Sequence, residues 1–173
     1  MLLEALVLAL GFGSEKLKHA TSNYEFEKRQ KEIREMDTWD CMEAQVSDHF
    51  LNFMKYKIVP EDQKTIAYWG NKKENGAVNI SLSDINENRR FSKSGLSMEE
   101  YVKQRFLERY KEKGKYIFRN DGLKWITLYD ENRNHHKFFV YDETQNGKLE
   151  IIYCPDKKEQ KRTFYVNLKD IIR

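Results

Sequence analysis

Between Tyr116 and Leu168 short apolar runs alternate with polar, turn-forming stretches, and this rhythm restricts the fold more than any other feature. The apolar runs are residues 116–118 (YIF), 123–129 (LKWITLY), 137–141 (KFFVY), 148–154 (KLEIIYC) and 162–168 (RTFYVNL). Each is rich in β-branched and aromatic residues, which fit the pleated surface of a sheet. Between them lie Asn120-Asp121-Gly122, DENRNHH, DETQNG and PDKKEQ, which hold the Asn, Asp, Gly and Pro that tight turns use. Connections this short join antiparallel neighbours, because a parallel pair needs a crossover of about a dozen residues or more. An antiparallel meander follows. Tyr129-Asp130-Glu131 and Tyr141-Asp142-Glu143 open their turns alike, yet the spacing is too short and uneven for a solenoid repeat.

Just upstream stands the best-marked helix. Ser97 and Glu100 form a capping box, and Met98, Tyr101, Val102, Phe106 and Tyr110 recur at helical spacing to build one apolar stripe. Lys111 and Lys113 suit the negative end of the helix dipole, and Gly114 supplies the stop. The stripe needs an apolar face to bury it. The expected fold is therefore α+β: an antiparallel β-meander sheet packed on one main helix (about 97–113), with a helical N-terminal arm. Trp125 beside Ile126, and Phe138 beside Phe139, put apolar side chains on both faces of the sheet. The face turned away from the helix can meet the arm or a partner, and is the expected place for function.

Earlier in the chain, residues 65–69 (TIAYW), a turn at 71–76 (NKKENG) and residues 77–82 (AVNISL) read as a hairpin. Residues 47–56 (SDHFLNFMKY) form an amphipathic segment, and Pro60 stops any helix there. Residues 14–39 are dominated by strong helix formers with pairs such as Glu27–Lys31, giving a polar helix that stands off from the core or packs on a partner. The expected organisation is an apolar segment plus charged helical arm over 1–40, then an α+β domain over 41–173.

Residues 2–12 (LLEALVLALGF) are apolar on every side apart from Glu4. Such a helix must be buried in protein or lipid, but it is shorter than the roughly 20 residues that cross a bilayer. No basic residue precedes it, as a signal peptide would require. Three readings stay open: a buried core helix or oligomer contact, a short membrane anchor, and a degenerate signal or remnant of a longer span. Leu2, Leu3, Leu6, Val7, Leu10 and Phe12 are the candidate membrane or partner contacts. Lys16, Lys18, Lys28, Arg29 and Lys31 follow the run, so if it meets a membrane the positive-inside rule holds the main domain on the cytoplasmic side; the cytoplasm or the cytoplasmic face of a membrane is the expected location.

The 31 basic and 28 acidic residues interleave and leave a net charge of only +3. The densest basic run, Lys157, Lys158, Lys161 and Arg162, also holds Asp156 and Glu159, and reads as a solvated turn rather than a phosphate track. Nucleic acid is not the favoured partner. Cys41 and Cys154 match no CxxC pattern and read as reduced thiols. His135 and His136, near Asp130 and Glu131, are the densest group of metal-capable side chains, but adjacent histidines on a strand point to opposite faces. No nucleophile–base set, phosphate-binding loop or zinc-binding helix motif is present. No catalytic, metal or cofactor residue is assigned.

The expectation is a non-catalytic binding or accessory module that makes protein–protein contacts, with an unidentified protein or with itself, and meets a membrane through its apolar N-terminus. The alternatives are a small metal-dependent enzyme centred on His135 and His136, and a nucleic-acid-binding accessory protein using exposed Tyr and Lys. From about residue 50 to 173 the chain also resembles the PsbP/DcrB/Mog group of α+β domains. The resemblance rests on residues 55–60 (KYKIVP), 78–84 (VNISLSD), the helix start Ser97-Met98-Glu99-Glu100-Tyr101, and the strands from Leu123 onward. It implies strand rather than helix over 56–59. It also implies a non-enzymatic accessory domain of the kind often attached to membranes, and it transfers no site residue.

Overall fold

The computed structural model describes residues 15–56, 65–70, 73–143, 146–156 and 160–171. Helices combine with two antiparallel sheets, of two and four strands, so the fold is α+β. The chain divides into two compact units, Met1–Ile85 and Asn86–Arg173.

In the first unit the polar stretch forms helix α1 (Glu15–Arg34), and a second helix, α2 (Thr38–Tyr56), follows after a short break. The break is set by Asp37, whose carboxylate accepts from the Asp40 backbone N–H at 2.9 Å and so caps α2. Helix α1 is not free-standing. Arg29 clamps both carboxylate oxygens of Asp48 on α2 at 2.9 and 3.1 Å, and Ile33 is buried with Cys41 and Ala44. Tyr56 ends α2 in helical conformation, which corrects the strand implied for it; residues 57–60 lie outside the described residues.

The expected hairpin is present as β1 (Thr65–Tyr68) and β2 (Ala77–Ile80), paired antiparallel from Thr65↔Ile80 to Tyr68↔Ala77. Gln45 of α2 joins its side chain to this hairpin, accepting from Tyr68 N at 2.8 Å and donating to Tyr68 O at 3.3 Å. Cys41, one turn earlier, donates from Sγ to the Gly70 carbonyl at 2.9 Å. Strand β2 stops two residues short of Leu82. Ser81 instead caps a helix, α3 (Leu82–Ser94), with its Oγ accepting from Asp84 N at 3.2 Å. The sequence Ser81-Leu82-Ser83-Asp84 is a capping signal, and the apolar alternation before it masked it.

The second unit is the helix-backed meander. Helix α4 (Met98–Lys113) starts at Ser97, whose Oγ accepts from Glu100 N at 3.3 Å, and stops at Gly114, where φ is +57°. Residues 116–118, expected as strand, continue instead into a 3-10 turn, Gly114–Phe118, that buries Ile117. Asn120-Asp121-Gly122 opens a one-turn helix, α5 (Asp121–Lys124), not a hairpin. The sheet then runs β3 (Trp125–Tyr129), β4 (His135–Glu143), β5 (Lys148–Pro155) and β6 (Arg162–Asn167) in sequence order. Its inner face carries Ile126, Leu128, Phe138, Val140, Leu149 and Ile151, which pack with Tyr101, Val102 and Phe106 of α4 into one core.

Candidate binding surface

Two buried polar groups on α3 hold this sheet. Glu87 accepts from the Tyr101 hydroxyl at 2.6 Å, Arg105 Nε at 2.8 Å and Arg109 Nη2 at 3.1 Å. Burial pulls the Arg109 guanidinium below its ordinary value although Glu87 acts against it. Burial, together with Glu87, pushes the Tyr101 phenol well above its usual range, so it remains a donor. Arg109 also donates to the carbonyls of Leu123 at 2.8 Å and Trp125 at 3.1 Å. Its neighbour in this work is Asn88, which donates to Thr127 O at 2.9 Å and accepts from Tyr129 N at 2.9 Å.

These bonds define one edge of the sheet. Asp130 N donates to Asn134 O at 3.0 Å, continuing the β3–β4 register, so even-numbered β3 residues exchange hydrogen bonds with β4. Trp125, Thr127 and Tyr129 therefore aim their backbone groups away from the sheet, where Arg109 bonds the Trp125 carbonyl and Asn88 bonds the Thr127 carbonyl and the Tyr129 N–H. The β3 edge is sealed by side chains that stand in for a neighbouring strand. At the opposite edge, Leu168 N donates to Gly147 O at 2.9 Å, continuing the β5–β6 register. Even-numbered β6 residues thus bond β5, and Thr163, Tyr165 and Asn167 turn their N–H and C=O groups outward. Among the described residues nothing meets those groups, apart from the Asn167 carbonyl, which opens the 3-10 turn Leu168–Ile171.

The outer face of the sheet is aromatic. Trp125 (42% exposed) packs on Phe139 with ring centroids 4.6 Å apart and planes tilted by 39°, and Phe139 meets Tyr141 (60% exposed) at 6.5 Å. Register continues the row from Phe139 to Ile152 and Thr163, with Tyr165 (51% exposed) beside it. The β4–β5 register shifts between Val140 and Glu143, across Tyr141 and Asp142. The sequence showed apolar residues on both faces; the sealing of one edge it did not show, because Glu87 and Asn88 sit in a segment as polar as any loop.

The two histidines part company. His135 pairs with Asp156 at 2.6 Å, while His136, on the inner side, lies between Tyr153 and Asp130. Asp130 accepts, so the neutral ring donates from Nε2 to Asp130 at 2.9 Å and accepts the Tyr153 hydroxyl at Nδ1. Burial raises the Tyr153 phenol above its usual range, with Asp130 and Asp156 adding to that and Arg162 opposing it. This is a donor locked in a chain, not an activated nucleophile. Among the described residues no three His, Cys, Asp or Glu side chains gather as a metal site.

Burial alone would raise the Asp130 carboxyl, but His136 and the backbone N–H groups of Asn134 and Asn132 together hold it below its ordinary value of 3.8. A depressed folded value contributes stability above the unfolded value, lost as pH falls through the folded one. Wild type should therefore be more stable than Asp130→Asn at neutral pH, and the gap should close as pH drops below about 4. Urea midpoints measured across that range check this; a gap independent of pH would remove Asp130 as its source.

Leu2, Leu3, Leu6, Val7, Leu10 and Phe12 lie outside the described residues. No helix among the described residues is long and apolar enough to cross a membrane. Cys41 and Cys154 are free thiols, and burial pushes the Cys41 thiol above its usual range. The first unit holds a cleft of about 620 Å³ with Gln30, Arg34, Asp48 and His49 among its lining, both charge signs mixed. Comparison of the chain with protein-family models, curated proteins and solved structures returns no match.

Proposed function

We propose that this chain is a non-catalytic binding or accessory module that engages a protein through the outer face of its four-stranded sheet. The observation that carries this reading is the ladder of Trp125, Phe139 and Tyr141 on a helix-backed sheet, Trp125 and Tyr141 exposed and Phe139 half-buried between them. Aromatic rings presented this way supply large contact area at little entropic cost, and such residues dominate the energetic centres of protein interfaces. The polar clusters beneath the sheet are consistent with it, since Glu87, Arg105 and Arg109 are consumed in mutual contacts and offer no reacting group to a substrate. The resemblance to the PsbP/DcrB/Mog group points the same way, towards an accessory domain. The apolar run at residues 2–12 adds a membrane or partner contact to this reading.

The test is affinity capture from the source cells with the full chain and with a Trp125→Lys, Tyr141→Lys variant. The expected result is a protein retained by the first and lost by the second, with the variant's circular dichroism unchanged. Equal capture by both forms, or retention of nucleic acid that weakens steeply with salt, would overturn it.

A further inference from the structure

We infer that the β6 edge accepts an added β-strand from an extended, acid-flanked segment of the partner protein. The inference deepens the binding-module reading and rests on it. Its ground is the unequal treatment of the two edges of one sheet. On β3, the outward carbonyls of Trp125 and Thr127 and the N–H of Tyr129 are occupied by Arg109 and the buried Asn88. On β6, the corresponding groups of Thr163 and Tyr165 and the Asn167 N–H meet nothing among the described residues, while the Asn167 carbonyl opens the 3-10 turn Leu168–Ile171. An open edge is a template for another chain, and proteins normally blunt one with a bulge, a proline or an inward charge. Strand β6 has no proline and pairs with β5 in unbroken register over its whole length.

Strand addition supplies affinity through the backbone and specificity through alternate side chains. An incoming strand would lie beside Tyr165 and extend the aromatic face sideways. Charge selects its composition. Lys161 and Arg162 flank one end of β6 and Lys169 the other, all exposed; Arg162 also pairs with Glu99 at 2.9 Å, and Asp170 stands beside Lys169. Opposite charges across strands stabilise a pair and like charges destabilise it. A segment alternating β-branched or aromatic residues, with Asp or Glu towards both ends, answers this edge. A second copy of the chain answers it poorly: two-fold antiparallel pairing brings the Lys161–Arg162 end of each strand against the Lys169 end of the other.

The probe is a displayed library of random peptides selected against the full chain. Enriched peptides are expected to show that alternation and those acidic ends, to weaken with salt, and to bind Thr163→Pro at least about tenfold more weakly. Proline at 163 removes only an outward N–H and leaves the ladder to β5 intact. Should that variant misfold, N-methylation of the selected peptide decides: methyl groups on one set of alternate amides abolish binding, and on the other set leave it. No enrichment, or enrichment without acidic bias, overturns the inference. So does a concentration-dependent dimer abolished by Thr163→Pro, which makes the occupant a second copy. Binding indifferent to Thr163→Pro and to methylation on either set, yet lost in Trp125→Lys, Tyr141→Lys, overturns strand addition and leaves the binding-module reading standing.

Discussion

Replacing Glu87 with Ala should destabilise the second unit by about 3–5 kcal/mol, the cost of leaving one partner of a buried ion pair alone. Glu87 and Arg109 are each only 10% exposed in their side chains, so solvent does little to screen them. The carboxylate is the acceptor for Tyr101, Arg105 and Arg109 together; without it Tyr101 keeps only the Glu87 backbone carbonyl at 3.3 Å and Arg105 only the half-exposed Glu108 at 3.2 Å. Arg109 keeps its bonds to the carbonyls of Leu123 and Trp125, but those are dipoles and cannot neutralise a charge that burial already disfavours. With a urea dependence of about 1–3 kcal/mol per molar, the midpoint should fall by at least about 1 M. Glu87→Gln should fall less, because the amide oxygen still accepts. A midpoint unmoved in Glu87→Ala would mean that the guanidinium finds water in solution, and that the edge it supports is loosely held.

Phe106→Ala should cost about 3–5 kcal/mol as well, for a different reason. Its ring is completely buried in the core between α4 and the inner sheet face, and its loss leaves a cavity that packed neighbours can only partly fill. The Arg109 guanidinium lies over that ring, 5.6 Å from its centroid. The two substitutions therefore share a partner. The double variant should lose less than the sum of the singles, with a coupling of about 0.5–3 kcal/mol measurable by a double-mutant cycle. Additivity would show that the ring and the ion pair are independent, and that the packing of Arg109 on Phe106 contributes nothing. An unchanged melting curve in Phe106→Ala would deny that the helix stripe faces the sheet at all.

Much of this second unit was legible from residue pattern. Ser97 and Glu100 announced the start of α4, Gly114 its end, and the strands from Trp125 to Asn167 follow the alternation of apolar runs and turns. What escaped was helix where apolar content was short or mixed. Tyr116, Ile117 and Phe118 look like a strand because they are aromatic and β-branched, but packing of Ile117 beneath the end of α4 holds them in a 3-10 turn. Helix α3 was hidden because two of its three buried residues, Glu87 and Asn88, are polar, and hydrophobic periodicity registers only Ile85. The aromatic outer face could be read from Trp125 and Phe139. The open β6 edge could not, since it depends on which backbone groups are already occupied, and that is a property of the assembled sheet.

The sealed β3 edge also sets the valence of the molecule. A sheet open on both sides can recruit one neighbour on each, and units that pair head to tail grow without limit into fibres. Here Asn88 and Arg109 occupy one of those sides, so copies of this sheet cannot join head to tail, β3 edge to β6 edge. A change at Asn88 that opened β3 would remove that block and convert a terminator into a link.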